Sequence, residues 1–244
     1  MESKQAVLEP PETETGRVPR HVAIIMDGNR RWAKKRGLPT AAGHWQGAEA
    51  LCNLVSVAAD MGIKVLTVYT FSTENWKRTL EEVGSLMELL KIYLLRQKSR
   101  MVAEGVRLGV IGDLEKLPAD VREIVEVVKQ ATAGGERIEL VLALNYGGRD
   151  EIRRAVVSIA DACVQGKLQK EEITEEVISA HLDMTQDPEL LIRTSGESRV
   201  SNFLLWQISY AEVYITDVLW PDFNESHLRA AVTEFQKRMR RTGC

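Results

Sequence analysis

The chain has few cysteines, no long apolar run and little net charge, and each absence excludes a class of protein. Its three cysteines are widely spaced without a metal-binding pattern, so neither a disulfide framework nor a zinc site is predicted, and a reduced, cytoplasmic location is favoured. No stretch reaches the roughly 18 uncharged apolar residues that a transmembrane helix needs. A formal net charge of −3 gives no general attraction to nucleic acid. We therefore expect no nucleic-acid partner, and any membrane contact is expected to be peripheral.

The remaining composition is that of one globular domain. With 44% hydrophobic and 27% charged residues, the chain can build one substantial core. Residues 1–19 are polar and acidic and include three prolines, which predicts a disordered N-terminal lead-in. Residues 20–244 show no internal repeat and no linker, which predicts a single domain over that range.

Apolar runs alternate with segments of helical character along this domain. The predicted strands cover residues 22–26, 65–71, 106–111, 138–145, 190–194 and 213–218. The predicted helices cover residues 31–35, 45–59, 83–104, 119–131, 149–165, 174–180 and 225–240. Strands separated by helices predict an α/β fold in which a six-stranded, mostly parallel sheet is surrounded by helices.

Polar residues follow the first predicted strand directly. This strand ends in Asp27, Gly28 and Asn29, and ligands of open α/β sheets bind outside the carboxyl ends of the strands. A helix that begins here would point free N–H groups at an anion. Countercharges follow at Arg30, Arg31, Lys34, Lys35 and Arg36. The pattern predicts an anion site, and the alternative is a turn followed by a solvated basic helix face.

The second predicted strand is also followed by polar groups. Ser72 and Asn75 could orient a ligand or relay a proton, Arg78 could bind phosphate, and Trp76 could cover an apolar substrate. For the tryptophan alone, a role in the rim or the core is the alternative.

A third polar cluster lies in residues 193–223. Arg193 and Arg199 offer donor forks suited to phosphate, with Ser201 close by. Glu212 stands alone in an apolar run, where a carboxylate requires a cation or a metal ion. The alternative is a structural ion pair that holds a loop to a strand.

Together these segments resemble the cis-prenyltransferase family, also called the undecaprenyl diphosphate synthase family. The family's DGNxRWA loop is met at residues 27–33, its GH pair at 43–44, FSxENWxR at 71–78 and NYGGRxEI at 145–152. The closing RTxGExRxSNFLLWQxxYxE and LWPxF patterns are met within residues 193–223. The resemblance covers about residues 20–243. The all-helical trans-type prenyltransferases are excluded, because they depend on DDxxD motifs and this chain has no adjacent aspartate pair.

The resemblance implies a Mg²⁺-dependent enzyme that condenses isopentenyl diphosphate repeatedly onto an allylic diphosphate such as farnesyl diphosphate. The implied product is a long-chain polyprenyl diphosphate such as undecaprenyl diphosphate, the lipid carrier precursor for cell-wall glycan synthesis. It also implies a homodimer, an apolar tunnel for the growing chain, and a possible peripheral membrane contact for product delivery. We expect helix 83–104 to line the tunnel and Ile138 to close its floor, with ordinary core packing or a dimer surface as alternatives.

The resemblance also implies roles for individual residues. Asp27 would hold Mg²⁺ on the diphosphate, with Glu212 as the second acidic contributor, and Asp27, Ser72 and Asn75 would form the catalytic group. The implied substrate-binding residues are Gly28, Asn29, Arg30, Arg31, Trp32, Arg36, His44, Ser72, Glu74, Trp76, Arg78, Arg193, Arg199, Ser201, Arg241 and Gly243. Of these, Arg241 and Gly243 belong to a C-terminal RxG triplet that reaches the partner's diphosphate site in the family.

Three departures from the family pattern bear on substrate affinity. Thr40 stands where many bacterial members have an arginine, so a countercharge is missing or is supplied by Lys35 or Arg36. Ser195 replaces the second residue of a TGG run, and Ser198 replaces a frequent histidine. Two other functions remain open: a short-chain cis-prenyl diphosphate synthase, and a noncatalytic accessory subunit of a heteromeric enzyme.

Overall fold

A computed structural model of the chain describes residues 17–238. The predicted lead-in over residues 1–16, the last residues of the predicted final helix, and the Arg241 and Gly243 assignments lie outside the described residues. Val18 packs against the core and Pro19 is buried, so the folded part includes residues 17–19, which the sequence had assigned to the lead-in.

All six predicted strands are present, and they form one parallel sheet. The strands are β1 (His21–Ile25), β2 (Val65–Ser72), β3 (Val106–Ile111), β4 (Ile138–Tyr146), β5 (Leu190–Arg193) and β6 (Glu212–Ile215). Their order across the sheet is β3-β4-β2-β1-β5-β6, and each neighbouring pair is parallel. The predicted fold class is therefore confirmed.

The last strand ends earlier than predicted because its following residues bond elsewhere. β6 stops at Ile215 rather than at residue 218. The carbonyl groups of Thr216 and Val218 accept hydrogen bonds from the backbone N–H groups of Gly196 and Ser195. Residues 216–218 therefore secure the loop after β5 instead of extending the ladder.

All seven predicted helices are present, with shifted ends. They are α1 (Asn29–Lys35), α2 (Thr40–Asp60), α3 (Leu80–Ala103), α4 (Ala119–Thr132), α5 (Gly148–Val164), α6 (Glu175–Ala180) and α7 (Glu225–Lys237). α3 begins at Leu80 rather than at residue 83 because the Thr79 side chain accepts a hydrogen bond from the Glu82 N–H and caps the helix. α2 begins at Thr40 rather than at residue 45, directly after Pro39, whose fixed φ suits the entry to a helix.

The chain reverses direction across the sheet at β1. After β1 the chain forms β2, β3 and β4 on one side, with β4 between β2 and β3, and it later returns to form β5 and β6 on the other side. A crevice therefore opens between the carboxyl ends of β1 and β5, where ligands of doubly wound sheets bind.

The core lies on both faces of this sheet. On one face, Val22 and Ile24 belong to a large cluster with residues of α2, α3, α4 and α7. On the other face, Ala23 and Ile25 pack in a smaller cluster with Phe203 and other apolar residues. Successive β1 side chains thus enter opposite core layers, as the two-residue strand period requires.

Candidate active site

Asp27 and Arg193 meet across the crevice between β1 and β5. Nη2 of Arg193 lies 3.1 Å from Oδ2 of Asp27, and Nη2 of Arg31 lies 3.2 Å from the same oxygen. The Arg193 side chain is 5% exposed, whereas that of Asp27 is 29% exposed. Nη1 of Arg31 also lies 3.8 Å from Oε1 of Glu197, which pairs with Arg199 as well. Three guanidinium groups therefore face two carboxylates, which leaves an excess of positive charge for an anionic ligand.

The backbone at Asp27 is held by neighbouring elements. The Asp27 N–H donates to Oγ1 of Thr194 over 2.9 Å, and the Thr194 hydroxyl donates to the Asp27 carbonyl over 2.7 Å. The N–H of Trp220 donates to the same carbonyl over 2.9 Å. These bonds fix the start of the loop that leads into α1.

Gly28 is required at the next position. Its φ is +111°, and a Cβ atom there would lie 2.7 Å from Oγ of Ser195 and 3.1 Å from Leu219. α1 follows directly, and no side chain caps its first turn within the described part of the chain. The first turn of a helix leaves N–H groups without intrahelical partners, so this edge of the site is suited to an anion.

Arg193 is oriented by the segment that follows β5. Nη1 of Arg193 donates to Oγ of Ser201 over 2.7 Å and also to the carbonyl of Arg199. The Arg199 guanidinium itself lies at the surface, 64% exposed, where it pairs with Glu197. The structure therefore brings Arg193 and Ser201 together, but it does not bring the Arg199 side chain to them.

A second basic group surrounds His44. Glu82 Oε1 lies 2.8 Å from Nη1 of Arg78 and 3.9 Å from Nη1 of Arg30. Burial is the main cause that lowers the pKa of His44 from 6.5 to about 4. The positive charges of Arg78 and Arg30 contribute to the lowering, and the negative charge of Glu82 opposes it. His44 is therefore a neutral hydrogen-bonding group at pH 7.

The polar residues after β2 form a closed turn. Oδ1 of Asn75 accepts the Ser72 N–H over 3.0 Å, and the Ser72 side chain accepts the Asn75 N–H in return. The indole N–H of Trp76 donates to Oδ1 of Asn145 over 2.7 Å, and its ring meets Phe71 edge-on. Trp76 is thus anchored at the rim of the site.

The motif after β4 serves to hold neighbouring segments together. Glu151 is buried, and its carboxylate accepts from the Tyr146 hydroxyl and from Nε2 of Gln207. Burial raises the pKa of Glu151, and the bonds from Tyr146 and Gln207 oppose that rise. This network fastens the segment that carries Ser201 to β4.

Four buried polar atoms at the site have no hydrogen-bond partner among the described residues. They are Oδ1 of Asn29, Nε2 of His44, Nε of Arg193 and Oγ of Ser195. An unpaired buried polar atom costs about 1–3 kcal/mol. A ligand that supplies partners for these atoms would recover that cost, so their arrangement indicates a binding site.

An apolar cavity of about 140 Å³ opens beside Asn29 and His44. It runs between α2, α3 and the sheet, and its lining includes Leu86 at the near end of α3 and Met101 at the far end. Leu140 and Leu142 of β4 line it as well, whereas Ile138, the expected floor residue, does not. Ile138 is 2% exposed and packs in the core, one two-residue step beyond Leu140 on the same strand face.

Several other predicted residues are placed away from the crevice. The Trp32 indole N–H donates to Asp222 over 2.7 Å, and Arg36 both pairs with Asp222 and stacks over the Trp32 ring. Arg36 is therefore engaged and does not replace the countercharge missing at Thr40. Thr40 instead shares a surface depression with Arg30, Arg31 and Lys34, none of which was predicted to replace that countercharge.

Glu212 lies at the amino ends of the parallel strands, whereas Asp27 lies beyond their carboxyl ends. It is the first residue of β6, paired in register with Leu190, and its carboxylate forms an ion pair with Arg238 at 3.0 Å. The structural ion pair that the sequence left open is therefore present. Within one described chain Glu212 does not approach Asp27, and its assignment as a second metal ligand stays a prediction.

The site is compatible with a metal ion bound together with a substrate. Within residues 17–238 no group of three His, Cys, Asp or Glu side chains converges as a metal site. Mg²⁺, however, is commonly held by one or two carboxylates plus substrate phosphates rather than by an all-protein cage. Asp27, partly exposed and next to an anion site, fits that arrangement.

Thr194, Asn145 and Asn202 are site residues that the sequence analysis did not single out. Thr194 follows β5 directly, and Asn145 is the second-last residue of β4, with φ +46°. The rule that polar groups at the carboxyl ends of strands form the site would have found both. Asn202, whose bonds are described below, follows no strand; it lies within the SNFLLWQ part of the family pattern, where it was assigned no role.

No helix within residues 17–238 combines the length and apolarity needed to cross a membrane.

Comparison with known proteins gives consistent matches. A family described as "Putative undecaprenyl diphosphate synthase" matches residues 25–243. The isoprenyl transferase of Bacillus subtilis is 50% identical over 93% of this chain and 88% of its own length. That of Agrobacterium fabrum is 48% identical over 96% of this chain and 95% of its own length.

Two solved structures are similar across nearly the whole fold. Lavandulyl diphosphate synthase from Lavandula x intermedia, in complex with dimethylallyl diphosphate, matches with a TM-score of 0.89 and 35% identity over 92% of this chain and 98% of its own. A "probable undecaprenyl diphosphate synthase" from Campylobacter jejuni matches with a TM-score of 0.78 and 35% identity over 93% of this chain and 99% of its own. With the family match and these identities, the chain belongs to the undecaprenyl diphosphate synthase, or cis-prenyltransferase, family of prenyl-transferring enzymes.

Proposed function

We propose that the chain is a Mg²⁺-dependent enzyme that adds isopentenyl diphosphate repeatedly to farnesyl diphosphate. Its product is a long-chain cis-polyprenyl diphosphate such as undecaprenyl diphosphate, which serves as a lipid carrier precursor for cell-wall glycan synthesis. The observation that carries the proposal is the apolar cavity that opens beside Asn29 and His44, next to the basic crevice. A substrate with a diphosphate head and an apolar tail needs this combination.

Two diphosphates must be bound side by side, and two basic groups support this. The first turn of α1, with Arg31 and His44, would hold the allylic diphosphate. Arg193 and Ser201 would hold isopentenyl diphosphate, with Arg199 at the outer edge of that site. The unpaired atoms of His44 and Arg193 support these assignments, because each could bond a phosphate oxygen.

In each cycle the allylic C–O bond breaks and a new C–C bond forms to the terminal carbon of isopentenyl diphosphate, which then loses a proton. When bound, Mg²⁺ would neutralise charge on the departing diphosphate. Arg31 would stabilise the same negative charge, and Asp27, which pairs with both Arg31 and Arg193, keeps the two guanidinium groups at fixed positions. For the proton we propose a route through Ser72, Asn75 and Asp27, which all lie at the carboxyl edge of neighbouring strands.

The product length has two candidates, because two observations favour different answers. The cavity lining along α3 extends from Leu86 to Met101, roughly 22 Å at 1.5 Å per residue, which favours a long product. Its volume of about 140 Å³ is close to that of a cavity that binds benzene, which favours a short-chain product in this conformation. We favour the long product, since a neighbouring groove of about 720 Å³ shares Leu86, Leu89 and His44 with the cavity.

We further propose a cytoplasmic homodimer that touches the membrane peripherally. For the dimer, β6 is an edge strand with Val213 and Ile215 exposed on one face, and such edges commonly pair or are covered. The C-terminal Arg241 and Gly243 would complete the partner's site. For the membrane, Leu80 is 91% exposed and Leu38 is exposed as well, both near the start of the helices that flank the groove.

The proposal is tested by incubating the purified protein with farnesyl diphosphate, radiolabelled isopentenyl diphosphate and Mg²⁺, then resolving the products by length. We expect a long product that disappears with EDTA and with Asp27→Ala. A product that stops at twenty or twenty-five carbons, after one or two additions to the fifteen-carbon starter, would establish the short-chain alternative instead. If the folded wild-type protein makes no product with any starter, the accessory-subunit function would replace the proposed one.

A further inference from the structure

The side chain and backbone of Asn202 join three segments of the active site. Its Nδ2 donates to Oε1 of Glu74 over 3.1 Å, and its Oδ1 accepts the N–H of Arg149 over 2.9 Å. Its carbonyl accepts the N–H of Gly148 over 2.7 Å. One residue therefore contacts the turn after β2 and the start of α5, while it belongs to the segment that orients Arg193.

The bonds to α5 replace a missing helix cap. Gly147 precedes α5 and supplies no side-chain cap, so the first N–H groups of the helix need acceptors from elsewhere. Asn202 supplies two of them across the loop. A Cβ atom at Gly147 would lie 2.7 Å from Nδ2 of Asn202, which shows how closely the Asn202 side chain approaches the Gly147 backbone.

The backbone conformation at this point is unusual as well. Ser201 has φ +49° and Asn202 has φ +63°, both in the left-handed region. Asparagine tolerates this region better than most residues, but a tolerant backbone alone does not explain three intersegment bonds. The side-chain bonds are those that a glycine in the same conformation would lose.

The two flanking groups carry roles in the proposed reaction. Ser201, the preceding residue, bonds the Arg193 guanidinium at 2.7 Å. Glu74, on the other side, lies between Ser72 and Asn75 in the short 3-10 helix Thr73–Lys77 that closes their turn. Asn202 therefore bridges the isopentenyl diphosphate group and the group proposed to handle its proton.

We propose that Asn202 is a positioning residue that fixes Ser201 and Arg193 relative to the turn of Ser72 and Asn75. This inference rests on the proposed function. Asn202 touches neither substrate, and it acts by holding isopentenyl diphosphate at a constant distance from the groups beside its reacting carbon. Removal of the bridge therefore affects isopentenyl diphosphate more than the allylic diphosphate, which is held by α1 and His44.

The test is steady-state kinetics on Asn202→Gly and Asn202→Asp. Glycine keeps the left-handed backbone but removes both side-chain bonds, and we expect KM for isopentenyl diphosphate to rise about tenfold with KM for the allylic diphosphate unchanged. Aspartate keeps the bond to the Arg149 N–H but places a carboxylate against Glu74, so we expect a larger loss. Binding of inorganic pyrophosphate, measured by calorimetry, should weaken in parallel.

Rescue separates a specific bridge from general structural damage. Glu74→Gln combined with Asn202→Asp restores the hydrogen bond with its direction reversed, so the double variant should recover most of the loss seen with Asn202→Asp alone. Asn53→Asp, at an exposed asparagine of α2, is the matched control and should change neither KM. Thermal unfolding of every variant shows whether the fold is retained.

The outcomes distinguish this inference from the proposed function. If wild-type protein has no activity, the proposed function fails. If the wild type is active but KM for both substrates rises equally, or the double variant is no better than Asn202→Asp, then Asn202 is only a structural residue. A selective and rescued rise in KM for isopentenyl diphosphate supports the positioning role.

Discussion

The buried guanidinium of Arg193 lies 3.1 Å from the partly exposed carboxylate of Asp27, and its Nε makes no hydrogen bond to any group within residues 17–238. The pair holds opposite charges, so an incoming anion must compete with Asp27 for Arg193 whenever no cation is bound. A divalent cation on Asp27 would relieve that competition.

Asp27→Ala should therefore separate anion binding from turnover. Without Mg²⁺, we expect inorganic pyrophosphate to bind the variant about tenfold more tightly than the wild type, because one nearby negative charge is removed. With Mg²⁺ and both substrates, activity should fall by 10²-fold or more. Calorimetry in EDTA measures the first effect, and product formation measures the second. Weaker pyrophosphate binding in the variant would show that Asp27 does not oppose the anion.

Gly28 and Ser195 are predicted to couple energetically. Gly28→Ala places a Cβ atom at φ +111° and 2.7 Å from Oγ of Ser195, so we expect a loss of about 2–3 kcal/mol in unfolding free energy. Ser195→Gly should be stabilising by up to about 1 kcal/mol, because this serine has φ +81°. Urea unfolding measures all three variants. The double variant should lose less unfolding free energy than the sum of the two single effects predicts, because the change at Ser195 removes the atom that the new Cβ would meet.

Gly84→Ala provides the control for this pair. Gly84 lies inside α3 with nothing within 4 Å of a Cβ atom, so alanine should stabilise the helix by about 1 kcal/mol. If Gly28→Ala were as well tolerated as Gly84→Ala, the close approach of Gly28 to Ser195 would have no energetic importance.

Leu140 and Ile138 should differ in their control of product length. Both are buried residues on one face of β4, and truncation of either should cost about 2–5 kcal/mol of stability. Only Leu140 lines the cavity, so Leu140→Ala should shift the products by one or more units toward longer chains. Ile138→Ala should leave the distribution as in the wild type. Product resolution by chromatography decides, and a shift with Ile138→Ala would restore it as the floor.

The contrast between Ile138 and Leu140 shows what could be predicted from the sequence and what could not. The strand period places Ile138, Leu140 and Leu142 on one face of the sheet, and all three lie in the same core cluster. Which of them faces a void depends on how far α3 stands from β4 at each level. That distance is set by the packing of α3 against its other neighbours, and no local pattern encodes it.

The residues of the anion site also divide into those whose position could be predicted from the sequence and those whose position could not. Asp27 and Arg193 were predictable because both end a buried apolar strand, and parallel strands bring their carboxyl ends to one edge. Glu212 was grouped with them because it stands out in an apolar run. It begins its strand, however, and so lies at the amino ends of the parallel strands, opposite their carboxyl ends. Arg199 and Arg36 have the right charge, but nearby carboxylates hold their side chains elsewhere.

Acid should destabilise the protein through His21. This buried ring has a pKa lowered by burial from 6.5 to about 4, and its Nε2 lies 2.8 Å from Oγ1 of Thr67. The unfolded chain therefore binds a proton at a higher pH than the folded chain. The stabilisation from the neutral ring is fully present above pH 6.5 and is lost as the pH falls toward 4, to a total of about 3 kcal/mol.

Denaturant unfolding between pH 7 and pH 4 checks this prediction. In His21→Gln, the unfolding free energy lost between pH 7 and pH 4 should be smaller than in the wild type by about 3 kcal/mol, even if the variant is less stable at pH 7. An unchanged slope would place the acid sensitivity in other groups.

The exposed edge of β6 gives a prediction about assembly. Val213 and Ile215 present apolar side chains on one face of the edge strand, next to Tyr210, which is 81% exposed. If a second copy of the chain covers this face, Val213→Lys would bury a charge in the interface and should lower the dimer affinity by 10²-fold or more. Val127→Lys, at an equally exposed valine of α4, is the matched control and should leave the dimer intact. Analytical ultracentrifugation across a concentration series measures both. A wild-type monomer, or a dimer that Val213→Lys does not weaken, would contradict an interface at β6 and move it to another surface of the chain.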